Sequence, residues 1–356
     1  MTKKRIPIFY ICIIALIIIT VIATQFGKNY LKDVLAEYED SQYKYVAQDF
    51  FESNFVSGNG ETLATLFESQ IPRFETEENF AKYLSEITND KEFLLQLTTV
   101  GLGEEKIYNV ICDGVKFATF SLEKSAEKSE HGFDLFRPST PIFNEKLLNS
   151  YSIEIPVGYS LKINGILLDD SYSLGDKIPT ASQEFMPEGI EGITYTTYTV
   201  DNLCYEPEFE VFSPKNEPSP INKDANGVVR AGIVFSKELE EEFSDYVIEA
   251  TKAYACYMQK DAYFGKVSKY LDPSSQLYTN LRTSPNWMVI DHQSYDFEDA
   301  KAFEFCDYGN SVFSCRVSIV HVLKYRGLED FRDHIDITWY LRNVNGKYLI
   351  YNSYTN

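Results

Sequence analysis

Residues 6–23 read IPIFYICIIALIIITVIA, eighteen residues without a charge. A helix needs about 20 apolar residues to cross the hydrocarbon core of a bilayer. Inside lipid, every backbone donor and acceptor must be paired within the segment, which a helix does and a loop does not. The run therefore predicts a transmembrane helix over 6–25. Everything after it must fold in water on one side of that membrane.

Charge decides the side. Lys3, Lys4 and Arg5 precede the run, whereas Lys28 and Lys32 behind it are diluted by Asp33, Glu37, Glu39 and Asp40. The positive-inside bias makes 1–5 a cytoplasmic tail and places the remainder outside the cell membrane. Val21-Ile22-Ala23 would suit a signal peptidase, so a cleaved signal is the alternative. The length of the run favours a retained single-pass signal-anchor. Cys12 sits mid-run and no Leu-x-x-Cys ends it, which argues against a lipoprotein. Both readings are extracytoplasmic, with membrane lipid as the first partner.

The chain of 356 residues carries 33 Lys+Arg against 53 Asp+Glu; without Lys3, Lys4 and Arg5 the basic residues fall to 30 and the net charge to −23. So acidic a surface repels phosphate backbones, which excludes nucleic acid as a partner. It suits a neutral or cationic partner, or simply keeps an exported protein soluble. With 25 Phe and 26 Tyr the chain has ample material for packed cores. Five cysteines follow the run, Cys112, Cys204, Cys256, Cys306 and Cys315, too few and too scattered for a disulfide scaffold. Cys306 and Cys315 flank one hairpin turn, where they either pair or serve as small buried residues.

Helical periodicity covers 28–56, 61–69 and 77–88. The period then changes to two, and Asp113-Gly114 joins two strands as a tight hairpin. Residues 150–212 contain only strand signals, with a second hairpin at Asn164-Gly165, and describe a small β-sandwich-like domain. The proline-, Asn- and Asp-rich stretch 213–232 reads as a linker. Asn222, Asp224, Asn226 and Gly227 mimic the start of a calcium loop, but Ile233 stands where a bidentate Glu is required, so we read a turn. Ser236 is an expected N-cap for a helix whose apolar stripe is Leu239, Phe243, Tyr246, Val247, Ala250, Tyr254 and Met258. Short helices near 261–271 and 274–281 precede strands expected at 287–294, 300–305, 312–325, 334–342 and 348–354. The fold class is α+β. An N-terminal transmembrane helix precedes two cone-shaped domains of helices on a curved antiparallel sheet (28–135 and 233–356), which flank the small all-β domain.

The C-terminal order, ending in WYLRNVNGKYLIYNSY, resembles the nuclear-transport-factor-two-like cone fold. Residues 30–125 repeat that order with IYNVICDGVKFATFSL as the hairpin, and YSIEIPVGYSLKINGILL is similar to small β modules of Gram-positive membrane-anchored envelope proteins. The whole resembles the exported part of teicoplanin-resistance-associated membrane proteins and the non-catalytic N-terminal regions of penicillin-binding proteins. No zinc ribbon precedes the membrane helix and no transpeptidase Ser-x-x-Lys domain follows. The resemblance implies location and architecture more than activity.

Cone folds hold a pocket between sheet and helices, and the resemblance directs attention there. His321 shares an apolar strand face with Phe313, Cys315, Val317, Ile319 and Leu323. It is either a pocket base or a core histidine kept neutral by burial. Cys315, Asp291 and His292 are the other pocket candidates. His334, Asp336, Thr338 and Tyr340 share the next strand's polar face, and His334, Asp336 and Tyr340 form a candidate patch for a partner. Metal-ligand spacing, a phosphate loop and a nucleophile elbow are missing, so neither metal nor cofactor is expected. The expected function is a non-catalytic, membrane-tethered binding or scaffold protein of the bacterial cell envelope, whose partner is a wall component or another membrane protein. The alternatives are a pocket enzyme of isomerase or dehydratase type in the C-terminal domain and a bitopic subunit of a secretion or conjugation channel. A dry pocket around His321 with a polar group within hydrogen-bond reach would favour the enzyme; a cone filled by aromatic side chains would favour the module.

Overall fold

The computed structural model describes residues 8–98, 105–327 and 329–356. Lys3, Lys4 and Arg5, on which the expected orientation rests, lie outside the described residues. The chain is α+β, with a long apolar N-terminal helix and several separate sheets. It divides into two compact units, Met1–Ser150 with Asp201–Glu206, and Tyr151–Val200 with Pro207–Asn356.

In the first unit, α1 (Ile8–Ser41) is one helix of 34 residues. The helices expected over 6–25 and from 28 onward are continuous here: nothing crowds Gly27, and one glycine in a long helix lowers stability without ending it. Tyr10, Ile14, Ile17, Ile18 and Val21 are uncovered by protein, as lipid-facing residues must be. This long apolar helix is compatible with a single-pass membrane anchor. The chain leaves helical geometry at Gln42 (ψ 126°) before α2 (Tyr43–Phe51) and a π-helical turn (Glu52–Val56). The single helix expected over 28–56 is thus divided.

Helices α3 (Gly60–Leu66) and α4 (Glu77–Thr88) start at caps, with Asn59 accepting from the Thr62 amide and Thr76 from that of Asn79. Strands β1 (Phe93–Thr98), β2 (Lys106–Cys112), β3 (Val115–Lys128) and β4 (Asp134–Pro138) lie in chain order, and β5 (Ile142–Phe143) pairs with β3. Asp113 and Gly114 both have positive φ (49° and 79°), as a two-residue hairpin turn with right-handed strand twist demands. Phe51, Phe55, Phe67, Phe80, Phe117 and Phe120 fill the core between helices and sheet. The returning segment is tied in as well. The Cys204 amide donates to Glu75 Oε1 (2.8 Å), and the Tyr205 hydroxyl donates to Glu86 Oε2 (2.9 Å).

The small β region comprises β6 (Asn149–Pro156), β7 (Ser160–Ile163), β8 (Ile166–Leu167), β9 (Ile178–Pro179), β10 (Thr194–Leu203), β11 (Phe209–Phe212), β12 (Ile221–Lys223) and β13 (Val229–Ala231). One sheet runs β12-β13-β6-β10-β9 and another β11-β7-β8. The stretch read as a linker is therefore structured. Its hairpin β12–β13 joins the first sheet through a parallel pairing of β13 with β6. Asp224 Oδ1 accepts from the Asn226 and Val228 amides (2.8 and 2.9 Å), so the calcium-like motif is the turn of that hairpin.

The C-terminal part places α5 (Lys237–Met258), α6 (Phe264–Ser268) and α7 (Gln276–Thr283) against the meander β14 (Ser294–Asp307), β15 (Val312–Lys324), β16 (Phe331–Val344) and β17 (Lys347–Thr355). Ser236 caps α5 by accepting from the Leu239 amide (3.3 Å). Residues 287–293 are not a strand. The Trp287 ring packs on Tyr257 (4.8 Å between centroids) and beneath the Lys260 ammonium (5.2 Å), holding this segment against the end of α5. The expected break near 295–299 is a bulge instead: Asp299 takes φ 52° between Glu298 and Lys301, and Glu304 takes φ 57° at a second bulge. Bulges bend a strand without ending it, and these two curl the sheet around the helices. Cys306 pairs in register with Ser314, not with Cys315, and both cysteines are free thiols.

Candidate functional site

The concave face of the C-terminal sheet carries Phe305, Phe313, Cys315, Val317, Ile337, Trp339, Leu341 and Ile350, packed against Phe243, Val247, Ala250, Tyr257 and Met258. Trp339, Thr251 and Tyr257 bring polar groups into this interior, and each is satisfied. Trp339 Nε1 donates to Thr251 Oγ1 (2.8 Å), and Thr251 Oγ1 donates to the Val247 carbonyl (2.7 Å). The Tyr257 hydroxyl donates to the Leu281 carbonyl (2.6 Å). Cys315 is a fully buried member of the same core, and burial pushes its thiol well above the ordinary value. A thiol held neutral in this way is inert as a nucleophile.

His321 lies on the same strand and is fully buried. Its ring stacks on Phe297 (4.6 Å, 14°) and meets the edge of Tyr295 (5.5 Å, 78°). Neither ring nitrogen has a hydrogen-bond partner. Burial lowers its pKa from the ordinary value, against the opposing pull of Asp333 and Asp261. His321 is thus buried in the interior without the hydrogen bond that a satisfied core histidine would make. What His321 meets in the interior is aromatic rings rather than polar side chains.

His292 does not open a strand, since β14 begins two residues later. Its Nδ1 lies 2.7 Å from the Ile290 carbonyl and its Nε2 3.1 Å from Asp261 Oδ2, so both neighbours are acceptors. The pair pins the 287–293 segment to the turn after α5. Asp291 is exposed beside it.

The candidate patch on β16 is not one surface. Asp336 receives a bidentate pair from Arg316 (Nε 2.7 Å, Nη2 2.6 Å), which holds its carboxyl below the usual range. It is therefore the partner of Arg316 rather than of His334, which stays exposed. Tyr340 is buried: Phe185 stacks on its ring (4.8 Å, 16°), with Met186 and Ile190 beside it. The β region thus covers part of the convex face of the sheet. Among the described residues, no group of three or more His, Cys, Asp and Glu side chains is arranged to hold a metal ion.

A cleft of about 400 Å³ lies elsewhere in the second unit. Val157, Tyr159, Ile193, Pro214, Val234 and Phe235 supply its apolar walls, and Glu191, Lys215, Glu217 and Asp307 its charges. The Tyr159 hydroxyl accepts from the Val234 amide (3.0 Å), fixing the extended segment after β13 as one wall. Lys215 donates to Glu238 (3.1 Å), and Lys177 lies 3.6 Å from Glu191. Lys215 also feels the charges of Glu217 and Asp307, so one lining cation stands against the three lining carboxylates Glu191, Glu217 and Asp307. The cleft therefore has an acidic rim. Its lining comes from five separate stretches of chain, and the one local signal was the apolar run 233–235 directly after a polar stretch.

No protein-family model matches the chain, and no curated protein matches it. Among solved structures, one described as "Ntf2 like protein involved in plasmid conjugation" is similar at 10% identity over 83% of this chain and 88% of that one, with a TM-score of 0.22. A likeness of that degree supports no conclusion about this chain's activity.

Proposed function

We propose that this protein is a non-catalytic, membrane-tethered binding or scaffold module of the bacterial cell envelope, with its N-terminus in the cytoplasm and the chain beyond the apolar run outside. The observation that carries this reading is the environment of His321, which is buried between aromatic rings with no polar atom in hydrogen-bond reach. The histidine that the pocket-enzyme alternative would need as its base is packed between aromatic rings. The acidic-rimmed cleft is the better candidate for contact with a partner, because it combines apolar walls with a rim on which carboxylates outnumber the one lining cation, Lys215, an arrangement that favours a neutral or cationic group.

Crosslinking and capture of the full-length protein from its native membrane tests the proposal. Wall-synthesis enzymes or a defined membrane protein should be enriched with the parent chain, remain enriched with His321→Leu, and be lost with Glu217→Lys combined with Asp307→Lys. Loss with His321→Leu at unchanged folding would support the pocket-enzyme alternative.

A further inference from the structure

Helix α1 extends well past its apolar run. Glu37 lies ten residues beyond Gly27, or about 15 Å along the axis at 1.5 Å per residue. Lys28, Lys32 and Asp33 come between them, so Glu37 stands in water. The chain leaves helical geometry at Gln42, so backbone hydrogen bonding alone does not hold α1 to the helices that follow.

A turn on the first unit grips the helix instead. Between β3 and β4, the Ser129 amide donates to the Phe133 carbonyl (3.0 Å), the Gly132 amide to the Ser129 carbonyl (2.9 Å), and the Phe133 amide to Ser129 Oγ (2.9 Å). This closed loop presents two groups of His131 to one carboxylate. The His131 amide donates to Glu37 Oε1 (2.9 Å), and His131 Nδ1 meets Glu37 Oε2. Tyr30 packs edge-on to the His131 ring (5.5 Å) and Tyr38 edge-on to Phe133 (5.3 Å). The groups that face His131 are acidic, with Asp33 and Glu37 on α1 and Glu130 on its own turn.

We propose that the Glu37–His131 pair is a proton-operated latch that clamps the membrane helix to the first unit. The direction follows from its surroundings. The hydrogen bond to Glu37 raises the His131 pKa against a smaller opposing effect of burial, and the charges of Glu37, Glu130 and Asp33 add to the rise. A histidine raised on folding contributes its full stabilisation below the unfolded value and loses it as pH rises through the folded one. The latch closes in mild acid. In alkali it keeps its amide bond and ring contacts but loses the ion pair, and the helix gains freedom to pivot at Gln42.

Pulsed electron spin resonance on the full chain in lipid nanodiscs tests this. Spin labels are placed at Phe26→Cys and Lys116→Cys in a Cys12→Ser background. One narrow distance peak is expected at about pH 5.5 and its loss at about pH 8.5, on either side of the ordinary histidine range. Glu37→Gln should lack the narrow peak at both pH values, and His131→Lys, which keeps a cation, should retain it at both. Identical distributions for the parent at the two pH values, or a pH-dependent change that survives in Glu37→Gln, would overturn the latch.

Discussion

The indole nitrogen of Trp339 on β16 donates to the hydroxyl of Thr251 on α5, 2.8 Å away and sealed from solvent. This bond places a large aromatic side chain where a cone-shaped pocket would otherwise be. Tyr254 adds an edge contact to the same indole (5.4 Å). The C-terminal interior is a packed core for this reason, and the hydroxyl is what lets an indole be buried there without an orphaned donor.

Thr251→Val should therefore destabilise the second unit by about 1–3 kcal/mol, because it leaves a buried N–H unpaired while changing little in shape. Denaturant titration of the C-terminal transition measures this, and an unchanged midpoint would show that the bond is not needed.

Acid should weaken the second unit through His321. Its pKa is lowered on folding by burial, so the folded state resists protonation. Stability is complete above the unfolded value near 6.5 and declines as pH falls below it. His321→Leu removes this dependence. The melting temperature of the parent should fall between about pH 7 and pH 5 more steeply than that of the variant; parallel curves would refute the assignment.

Arg342 guards a buried carboxylate. Burial by itself would raise the Asp272 pKa, but bonds from the Ser274 amide, the Ser274 hydroxyl and Arg342 hold it below the usual value. Asp272 is 1% exposed. Arg342→Met strips its countercharge and should reduce stability by about 3–5 kcal/mol. Asp272→Asn in the same chain should recover part of the loss, which separates charge from packing in the unfolding data.

The proposed membrane attachment rests on the first half of α1. Ile17→Arg places a charge mid-span, where insertion becomes about 2.5–3.5 kcal/mol less favourable. The variant should shift from the membrane pellet toward the soluble fraction on ultracentrifugation, while Leu35→Arg, on the part of α1 beyond the apolar run, should stay in the pellet.

The sequence made the turns legible because their chemistry is local. Asp113-Gly114 and Asn164-Gly165 adopt positive φ at both positions as their residue types require, and Ser236 caps α5 where expected. Bulges are less visible. Asp299 resembles a turn residue in sequence, yet two flanking ladders hold it within one long strand. Strands β12 and β13 were hidden because three residues each give no period to detect, and the pairing of β13 with β6 joins segments over 70 residues apart. The same long-range joining conceals the cleft and the burial of Tyr340 by Phe185. Composition says that Tyr340 is amphipathic, but only the fold says what lies on it.

The return of Asp201–Glu206 to the first unit has a consequence for how the chain is made. The Cys204 amide reaches Glu75 across 129 residues, and the Tyr205 hydroxyl reaches Glu86 across 119. At about 5–20 residues per second of synthesis, each carboxylate waits on the order of ten seconds for its donor. In that interval the nascent N-terminal body is unfinished, and any factor that attends the chain as it emerges meets an open seam there before the later strands arrive to close it.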